Sequence, residues 1–449
     1  MTALKIVYQS PKTLKPRDRN PRTHSKSQIR QVMRSIEHFG FTNPVLVDED
    51  NQLIAGHGRV EAAKQMGLEQ VPTICLSGMS EEDIRAYVIA DNKLAENAGW
   101  DAGLLALEFQ YLDELEIPFD LTLTGFELPE IDLSIQALRS DGEEGQDPLD
   151  QVPIPIGNLS VIRNGDIWHI GPHRLICGDS TNAETYAALL GSERAQMVFT
   201  DPPYNVPIKG HVSGLGSVQH REFAMASGEM SPEDFQSFLT SVFQHLASYS
   251  EDGSIHFQCM DWRHMREILG AGEVAYSELK HLCVWSKTNG GMGSLYRSQH
   301  ELVFVFKSGT GKHINNIELG KNGRNRTNVW AYAGANCFGE GQGDLEMHPT
   351  VKPVALVRDA ILDCSLRGGL VLDPFCGSGS TLIAAEQSGR RGFGIEIDPA
   401  YCDVILRRLT DTFGLIPRLG EDGPTFQVVA SERENDGVSA AAEQEVANV

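Results

Sequence analysis

Apolar and polar positions follow two different patterns along the chain, and the change of pattern divides the sequence. Residues 41–76 hold short apolar runs around one helical stretch, which predicts strand, turn, strand, a helix from Arg59 to about Met66, and another strand. Two amphipathic helices are predicted after Ser80, which is suited to cap the first of them. Residues 156–415 alternate apolar strands with amphipathic helices, as in a largely parallel α/β sheet covered on both faces.

Composition marks the boundaries of these regions. Residues 141–155 are acidic and rich in Gly and Pro, which indicates a linker because such a segment buries little apolar surface. The sequence therefore predicts one domain over residues 1–140 and a second over residues 156–415. Residues 420–449 are acidic and predict a mobile tail.

Charge and cysteine content narrow the class of protein. A formal net charge of −23 argues against a protein coated in positive charge for binding DNA phosphates. Basic residues nevertheless outnumber acids between Lys5 and Arg34, where either a phosphate contact or a solvated polar face is possible. The 8 cysteines lack the spacing of a zinc site and are expected to be reduced thiols. No apolar run approaches the length of a membrane span, so we expect a cytoplasmic protein with no membrane partner.

A glycine-rich turn follows the apolar strand that ends at Asp373. Gly377 and Gly379 would let a ligand approach the backbone at the N-terminus of the next helix. Glu396 follows about twenty residues later, where nucleotide-binding α/β units place the acceptor of a ribose hydroxyl. A carboxylate at Asp373 repels pyrophosphate but can pair, directly or through water, with the ammonium group of S-adenosylmethionine. These features predict a pocket for that cofactor, the alternative being a bare structural turn.

The run DPPY at residues 201–204 follows a short apolar strand. Two prolines donate no hydrogen bonds, so this run suits a rigid loop at the carboxyl edge of a sheet. The exocyclic amine of adenine is a poor nucleophile because its lone pair is delocalised into the ring. Asp201 and the Pro202 carbonyl can accept its N–H bonds and direct the lone pair at a methyl group. Tyr204 can stack on a base rotated out of the duplex, whereas a proline-capped turn with a core tyrosine is the alternative.

These motifs, with HPTVKP at residues 348–353, resemble those of the DNA amino-methyltransferases over about residues 156–415. Because DPPY comes first and DPFCGSGST last, the resemblance is to the β group of these modification enzymes. It implies a Rossmann-like sheet and site-specific transfer of a methyl group from S-adenosylmethionine to double-stranded DNA, with adenine N6 favoured over cytosine N4. The catalytic positions implied are Asp201, Pro202, Pro203 and Tyr204. The cofactor positions implied are Asp373, Phe375, Gly377, Gly379, Glu396, Thr350 and Lys352.

Two further assignments depend on the same resemblance. Asp179 ends the strand before the catalytic one and is expected at the rim near the cofactor adenine, although it could also be an ordinary helix N-cap. Target recognition is expected over about residues 308–346, where Lys321, Arg324 and Arg326 could contact phosphate or guanine. Asn322, Asn325 and Asn328 have the amide geometry for adenine edges. The alternative is a polar surface loop.

The first domain resembles the small α+β fold of ParB and sulfiredoxin-like proteins over about residues 7–76. The resemblance depends on Asn20-Pro21-Arg22 and on AGHGRVEAAKQMG, where Arg59 lies in the first turn of a helix and could hold a phosphate. It implies a bound nucleotide or a DNA contact, with packing or docking as the plainer alternative. A different class of protein, a ParB-type regulatory DNA binder with a degenerate methyltransferase domain, is disfavoured by the intact DPPY and DPFCGSGST motifs.

Overall fold

A computed structural model describes the protein at residues 4–17, 21–115, 120–140, 148–150, 152, 160–206, 226, 228–288, 290, 295–317, 326–333 and 351–434. The chain folds into two compact units, Met1–Asp141 and Gly142–Val449. None of the helices in these ranges has both the length and the apolar character needed to cross a bilayer.

The first unit is a four-stranded sheet with helices, as the α+β prediction requires. Its strands, in the sheet order β1-β4-β2-β3, are β1 (Ile6–Gln9), β2 (Val45–Val47), β3 (Leu53–Ala55) and β4 (Val71–Cys75). Its helices are α1 (Lys26–Phe39), α2 (His57–Met66), α3 (Glu81–Glu96), α4 (Ala102–Glu114), a 3-10 turn (Leu121–Thr124) and α5 (Leu128–Ser140). The predicted strand–turn–strand–helix–strand segment is present, whereas α1 was not predicted.

Local hydrogen bonds explain where these elements begin. The Ser80 side chain accepts from the Asp83 N–H, which makes Ser80 the N-cap of α3 as predicted. In the turn between β2 and β3 the Asp48 carboxylate accepts from the Gln52 N–H at 2.8 Å. Asn51 takes a φ of 59° in the same turn, a left-handed conformation that asparagine tolerates better than most residues.

The second unit is a ten-stranded sheet. Its strands are β5 (Ile167–Ile170), β6 (His173–Cys177), β7 (Ala195–Thr200), β8 (Ser250–Met260), β9 (Glu278–Ser286), β10 (His300–Lys307), β11 (Val329–Ala331), β12 (Leu370–Asp373), β13 (Arg391–Glu396) and β14 (Pro417–Leu419). Their order is β11-β9-β10-β8-β7-β12-β13-β6-β5-β14, and the central run from β8 to β6 is parallel. β10 and β5 pair antiparallel with the ends of that run, so the sheet is mixed where the pattern predicted a largely parallel one.

Helices cover both faces of the sheet because side chains alternate along its buried strands. Met197 and Phe199 of β7 enter one apolar cluster, and Val198 between them enters the other. The second unit's helices are a 3-10 turn (Pro148–Asp150), α6 (Ala183–Leu190), α7 (Pro232–Ser248), a 3-10 turn (Trp262–His264), α8 (Met265–Ala275), α9 (Val354–Cys364), α10 (Ser380–Gln387) and α11 (Pro399–Phe413). Residues of α9 and α11 belong to the first cluster, and residues of α6, α7 and α8 to the second.

Part of the predicted linker packs on the second unit. The Asp150 carboxylate accepts from the Val354 N–H at 2.8 Å at the start of α9. Val152 is buried with Val351 and Val404. The acidic composition of residues 141–155 did not reveal these two contacts, because they depend on single residues: Asp150 caps a helix and Val152 is buried in an apolar cluster.

The mobile tail was predicted to begin at residue 420, but residues 426–434 are helical and packed. Val429 is 2% exposed within an apolar cluster, and the Phe426 ring lies 5.6 Å from that of Trp168. Arg433 donates to the Asp166 carboxylate and to the Val161 carbonyl. Two apolar side chains and one ion pair therefore hold a segment whose charge suggested mobility, and the rest of the predicted tail lies outside the described residues.

Candidate active site

The two predicted motifs meet at one edge of the sheet. β7 and β12 are parallel neighbours, with Val371 opposite Met197, so the loops that follow both strands leave the same carboxyl edge. Ligands of open α/β sheets bind in the crevice outside that edge. The Thr200 hydroxyl at the end of β7 donates to the Asp373 carboxylate at 2.7 Å and joins the DPPY loop to the glycine loop.

The Asp373 carboxylate organises the glycine loop. Besides Thr200, it accepts from the Phe375 N–H at 3.0 Å and from the Thr381 hydroxyl at 2.6 Å, across the loop. Burial raises the pKa of Asp373 to about 6, although these donors favour its ionised form. The residue thus fixes the loop's shape as well as placing a carboxylate beneath the crevice.

The glycines of this loop take conformations that other residues avoid. Gly377 has a φ of 51° and Gly379, the N-cap of α10, a φ of 86°. A Cβ at Gly379 would lie 3.0 Å from Ile405, whereas a Cβ at Gly377 would meet nothing within 4 Å. Gly377 therefore faces open space that a ligand can fill.

Glu396 lies beside the loop, at the end of β13. Its carboxylate accepts from the Gly377 N–H and from the Asp398 N–H, both at 2.8 Å. Burial raises the pKa of Glu396 to about 7. Each oxygen retains a lone pair for a further donor such as a ribose hydroxyl.

Asp179 follows the next strand, β6. The N–H of neighbouring Gly178 donates to the Glu396 carbonyl at 2.9 Å, which places Asp179 close to the end of β13. Its carboxylate accepts from the N–H and the hydroxyl of Thr181, both at 2.8 Å. The N-cap of α6 is Asn182, so Asp179 is not the ordinary helix cap that was the alternative prediction.

The catalytic motif forms a compact polar cluster. The Tyr204 hydroxyl donates to Asp201 Oδ1 at 2.6 Å, and the Lys352 ammonium donates to Asp201 Oδ2 at 2.5 Å. Lys352, predicted at the methionine end of the cofactor pocket, thus lies against the Asp201 carboxylate, 5.4 Å from the centre of the Tyr204 ring. Thr350, predicted beside it, lies outside the described residues.

Two charged residues that the sequence analysis missed complete this cluster. Glu301, at the start of β10, lies 2.9 Å from the Lys352 ammonium, and it also forms an ion pair with Lys287. Lys287 lies 4.5 Å from the centre of the Trp285 ring. An acid at the start of an apolar strand, in SQHELVFVFK, was the available signal.

Burial and charge act differently on the two carboxyls of the cluster. Burial raises the pKa of Asp201, with Lys352 opposing and Glu301 reinforcing that effect. Burial also raises the pKa of Glu301, but Lys352 and Lys287 outweigh it and bring the value down to about 2. Glu301 is therefore firmly ionised, while the charge of Asp201 depends on its neighbours.

Arg326, predicted as a DNA contact, has partners within the protein. Its guanidinium donates to the Asp359 carboxylate at 2.8 Å and to the Tyr332 hydroxyl at 2.9 Å, and it lies 3.0 Å from Asp363. Two carboxylates of α9 therefore already neutralise it, and it is unsuited to a phosphate. Lys321, Arg324, Asn322 and Asn325 lie outside the described residues.

Arg59 lies in the first turn of α2, as predicted. Its Nε is buried without a hydrogen-bond partner among the described atoms, as are His57 Nε2 and Arg17 Nε. Burial lowers the pKa of Arg59, and burial together with the nearby His24 and Arg17 lowers that of His57. Buried nitrogens without acceptors suit an anion at this helix N-terminus.

In the described part of the chain, no cluster of three or more His, Cys, Asp or Glu could hold a metal.

Three family models match this chain in succession. They are the ParB N-terminal domain over residues 3–92, the ParB-methyltransferase HTH domain over residues 103–161, and DNA methylase over residues 195–407. The last range contains both DPPY and the glycine loop. The middle range, which includes α4 and α5, has Arg139 as its only basic residue.

Named relatives match the same segments. The ParB-like nuclease domain-containing protein YnaK of Escherichia coli (strain K12) is 52% identical over 79 residues, 18% of this chain and 91% of YnaK. Type II methyltransferase M.HpaI of Haemophilus parainfluenzae is 26% identical over 255 residues, 54% of this chain and 75% of M.HpaI. DNA adenine methyltransferase YhdJ of Escherichia coli (strain K12) is 44% identical over 82 residues, 18% of this chain and 27% of YhdJ. Residues 195–407 of the chain therefore match the DNA methylase family, and residues 3–92 form a ParB N-terminal domain.

Proposed function

We propose that the protein transfers a methyl group from S-adenosylmethionine to the exocyclic amine of a base in double-stranded DNA, with N6 of adenine as the first candidate. The observation that carries this proposal is the Thr200–Asp373 hydrogen bond, because it holds the DPPY loop and the glycine loop side by side at one sheet edge. A carboxylate suited to an amine thus lies next to a loop suited to a nucleoside. The test is transfer of labelled methyl groups from S-adenosylmethionine to unmodified DNA by the purified chain.

The glycine loop fits this cofactor. Open space faces Gly377, Glu396 has acceptor capacity for a ribose hydroxyl, and Asp373 places a carboxylate below the crevice. Phe375 and Gly379 are proposed to shape the loop, and Asp179 is proposed to lie at the rim of the pocket near the cofactor adenine. When bound, S-adenosylmethionine supplies an activated methyl group. The residues of the loop orient that group toward the DPPY loop.

Asp201 and the Pro202 carbonyl act on the target amine. Each accepts one N–H bond, which favours a tetrahedral nitrogen whose lone pair faces the methyl group. Pro202 and Pro203 keep the loop rigid, and the Tyr204 ring supplies a stacking surface for the flipped base. After the methyl group is transferred, the amine nitrogen carries a positive charge and must lose one proton. Asp201 is proposed to accept this proton, because burial raises the pKa of its carboxyl group.

Adenine is the favoured base for two reasons. DPPY begins with aspartate, which among the enzymes that this sequence resembles is more typical of adenine N6 than of cytosine N4. The relative YhdJ, whose match covers 82 residues of this chain, is named as a DNA adenine methyltransferase. Cytosine N4 remains the second candidate, because the same acceptors serve either amine.

The pH dependence of stability tests the environment assigned to Glu396. Its pKa is raised from 4.5 to about 7 in the folded protein, so ionisation opposes folding. Its favourable contribution is complete below about pH 4.5 and is lost as the pH rises through about 7. The free energy of unfolding of the wild type relative to Glu396→Gln should therefore fall by about 2 kcal/mol between about pH 5.5 and pH 8. Denaturant unfolding without cofactor measures this difference, and a constant or rising difference would contradict the assignment.

The N-terminal unit is proposed to bind a nucleotide or a DNA phosphate through Arg59. Since Arg59 Nε and His57 Nε2 are buried without partners among the described atoms, an anion at α2 would satisfy both. Arg59→Ala in the full chain should weaken binding of a nucleoside triphosphate about tenfold or more. Lys64→Ala, in the exposed last turn of the same helix, is the matched control. Titration of both variants with CTP and ATP measures the affinities. Equal affinities of Arg59→Ala and Lys64→Ala would show that Arg59 does not bind the nucleotide.

Target recognition remains assigned to residues 308–346, with Lys321 and Arg324 as the proposed basic contacts. Residues 103–161 are poorly suited to phosphate contacts, because Arg139 stands among many acids. The DNA surface is therefore proposed on the target-recognition segment and on the N-terminal unit. The cytoplasm is the proposed site of action, because DNA and cofactor meet there.

A further inference from the structure

Asp201 and Glu301 share the same two hydrogen-bond donors. The Tyr204 hydroxyl lies 2.6 Å from Asp201 Oδ1 and 3.2 Å from Glu301 Oε2. The Lys352 ammonium lies 2.5 Å from Asp201 Oδ2 and 2.9 Å from the same Glu301 oxygen. Glu301 Oε2 is thus already a second acceptor for every side-chain donor seen on Asp201 in the described residues.

This arrangement creates a problem that the reaction has to solve. The target amine needs an oxygen of Asp201, and each oxygen already accepts one donor, from Tyr204 or Lys352, so the amine has to compete with these donors for the negative charge of the carboxylate. Lys352 is 7% exposed, so releasing its ammonium without another carboxylate would leave a buried, uncompensated charge. The partly buried Tyr204 hydroxyl would pay a similar, smaller penalty if it lost its acceptor.

We propose that Glu301 is a positioning residue that takes over the Tyr204 hydroxyl and the Lys352 ammonium when the target amine binds Asp201. Neither donor has to cross the site, because each is already within hydrogen-bond or ion-pair distance of Glu301 Oε2. Asp201 then turns to the amine without leaving a buried donor unpaired. This inference rests on the proposed function, since it assigns a residue to the same reaction.

The surroundings of Glu301 equip it for this role. Its other oxygen is anchored by Lys287, and strand pairing places Glu301 directly opposite Trp285. The Trp285 ring lies 4.5 Å from the Lys287 ammonium and 5.8 Å from that of Lys352. The two ammonium groups pair with different oxygens of Glu301 and both lie near the Trp285 ring, so the Glu301 carboxylate stays charged and fixed while its neighbours change partners.

The variant Glu301→Gln separates positioning from a structural ion pair. Glutamine keeps the size but loses the charge, so Lys352 should remain on Asp201 and compete with the amine. Turnover should fall about tenfold to a hundredfold, with affinity for S-adenosylmethionine close to that of the wild type. The acidic limb of the turnover–pH profile should shift to lower pH, because Glu301 no longer raises the pKa of Asp201. The titratable groups that face Asp201 are Glu301, Lys352, Tyr204, Cys259 and Asp373.

Glu193→Gln is the matched control. Glu193 is also ion-paired, with Arg391 and Arg174, but it precedes β7 at the opposite edge of the sheet. This control should keep wild-type turnover and the wild-type acidic limb. Should Glu301→Gln fold poorly, Glu301→Asp carries the test, since the shorter carboxylate keeps the charge but cannot reach both donors; its turnover should fall while its acidic limb stays in place.

The outcomes are distinguishable. An inactive wild type would refute the proposed function itself. With an active wild type, Glu301→Gln with normal turnover, or Glu301→Asp with normal turnover, would overturn the inference. A Glu301→Gln protein that loses turnover together with cofactor affinity, but keeps the acidic limb, would also overturn it, because that pattern describes a merely structural ion pair.

Discussion

Replacing Asp201 by alanine is expected to lower the rate of methyl transfer about a hundredfold or more, with cofactor affinity unchanged. Of the two substrates, Asp201 is proposed to contact only the target amine, and the glycine loop is held by other residues. Lys352 keeps a carboxylate partner in this variant, because Glu301 lies 2.9 Å from its ammonium. Single-turnover transfer of labelled methyl groups to duplex DNA measures the loss, and calorimetry with S-adenosylmethionine measures the affinity.

Asp411→Ala is the matched control for this experiment. Asp411 is exposed on α11, so losing its carboxylate should change neither rate nor affinity. If Asp201→Ala kept a near-normal rate, the role given to the DPPY loop would be wrong. If it lost cofactor binding, Asp201 would belong to the cofactor pocket instead.

Substituting valine for Gly377 is expected to abolish detectable binding of S-adenosylmethionine. Two effects act together. A residue with a Cβ is strained at a φ of 51°, and its side chain would project into the open space beside the loop. The Gly377 N–H also donates to Glu396, so distortion of the loop would disturb the proposed ribose acceptor.

Gly414→Val separates backbone strain from loss of the pocket. Gly414 has a φ of 69°, and a Cβ there would likewise meet nothing within 4 Å, but it lies at the C-terminus of α11. This control should lose some thermal stability and keep cofactor affinity. Equal affinities in Gly377→Val and wild type would place the cofactor elsewhere, and equal losses in both glycine variants would show strain alone.

The motifs that local sequence revealed are those in which a strand, a turn and a helix follow one another. DPPY and the glycine loop each occupy such a junction, and the meeting of β7 with β12 follows from parallel packing. Glu301 and Lys287 escaped because their partners come from distant parts of the chain. β10 lies between β9 and β8 by antiparallel pairing, which brings Glu301 opposite Trp285 and beside Tyr204.

The charge of a residue was a poor guide to its role where the folded chain supplies a partner of opposite charge. Arg326 looked available for DNA, but Asp359 and Asp363 lie a turn apart on α9 and neutralise it. Helix α1 was not predicted, because its region was interpreted from its basic charge alone. Ser25 caps this helix and Ile29 is buried. The sequence predicted a role only for the ring of Tyr204, whereas its hydroxyl lies within hydrogen-bond distance of both Asp201 and Glu301.

Nucleoside analysis of DNA methylated by the purified protein tests the central claim most directly. Labelled S-adenosylmethionine is incubated with unmodified duplex DNA, and the DNA is digested to nucleosides and separated. The expected labelled product is N6-methyladenine, formed by wild type and lost in Asp201→Ala. N4-methylcytosine would preserve the amine mechanism and change the base. Label in 5-methylcytosine, or no label in DNA, would contradict the account, because neither Asp201 nor the Pro202 carbonyl could then be acting on an exocyclic amine.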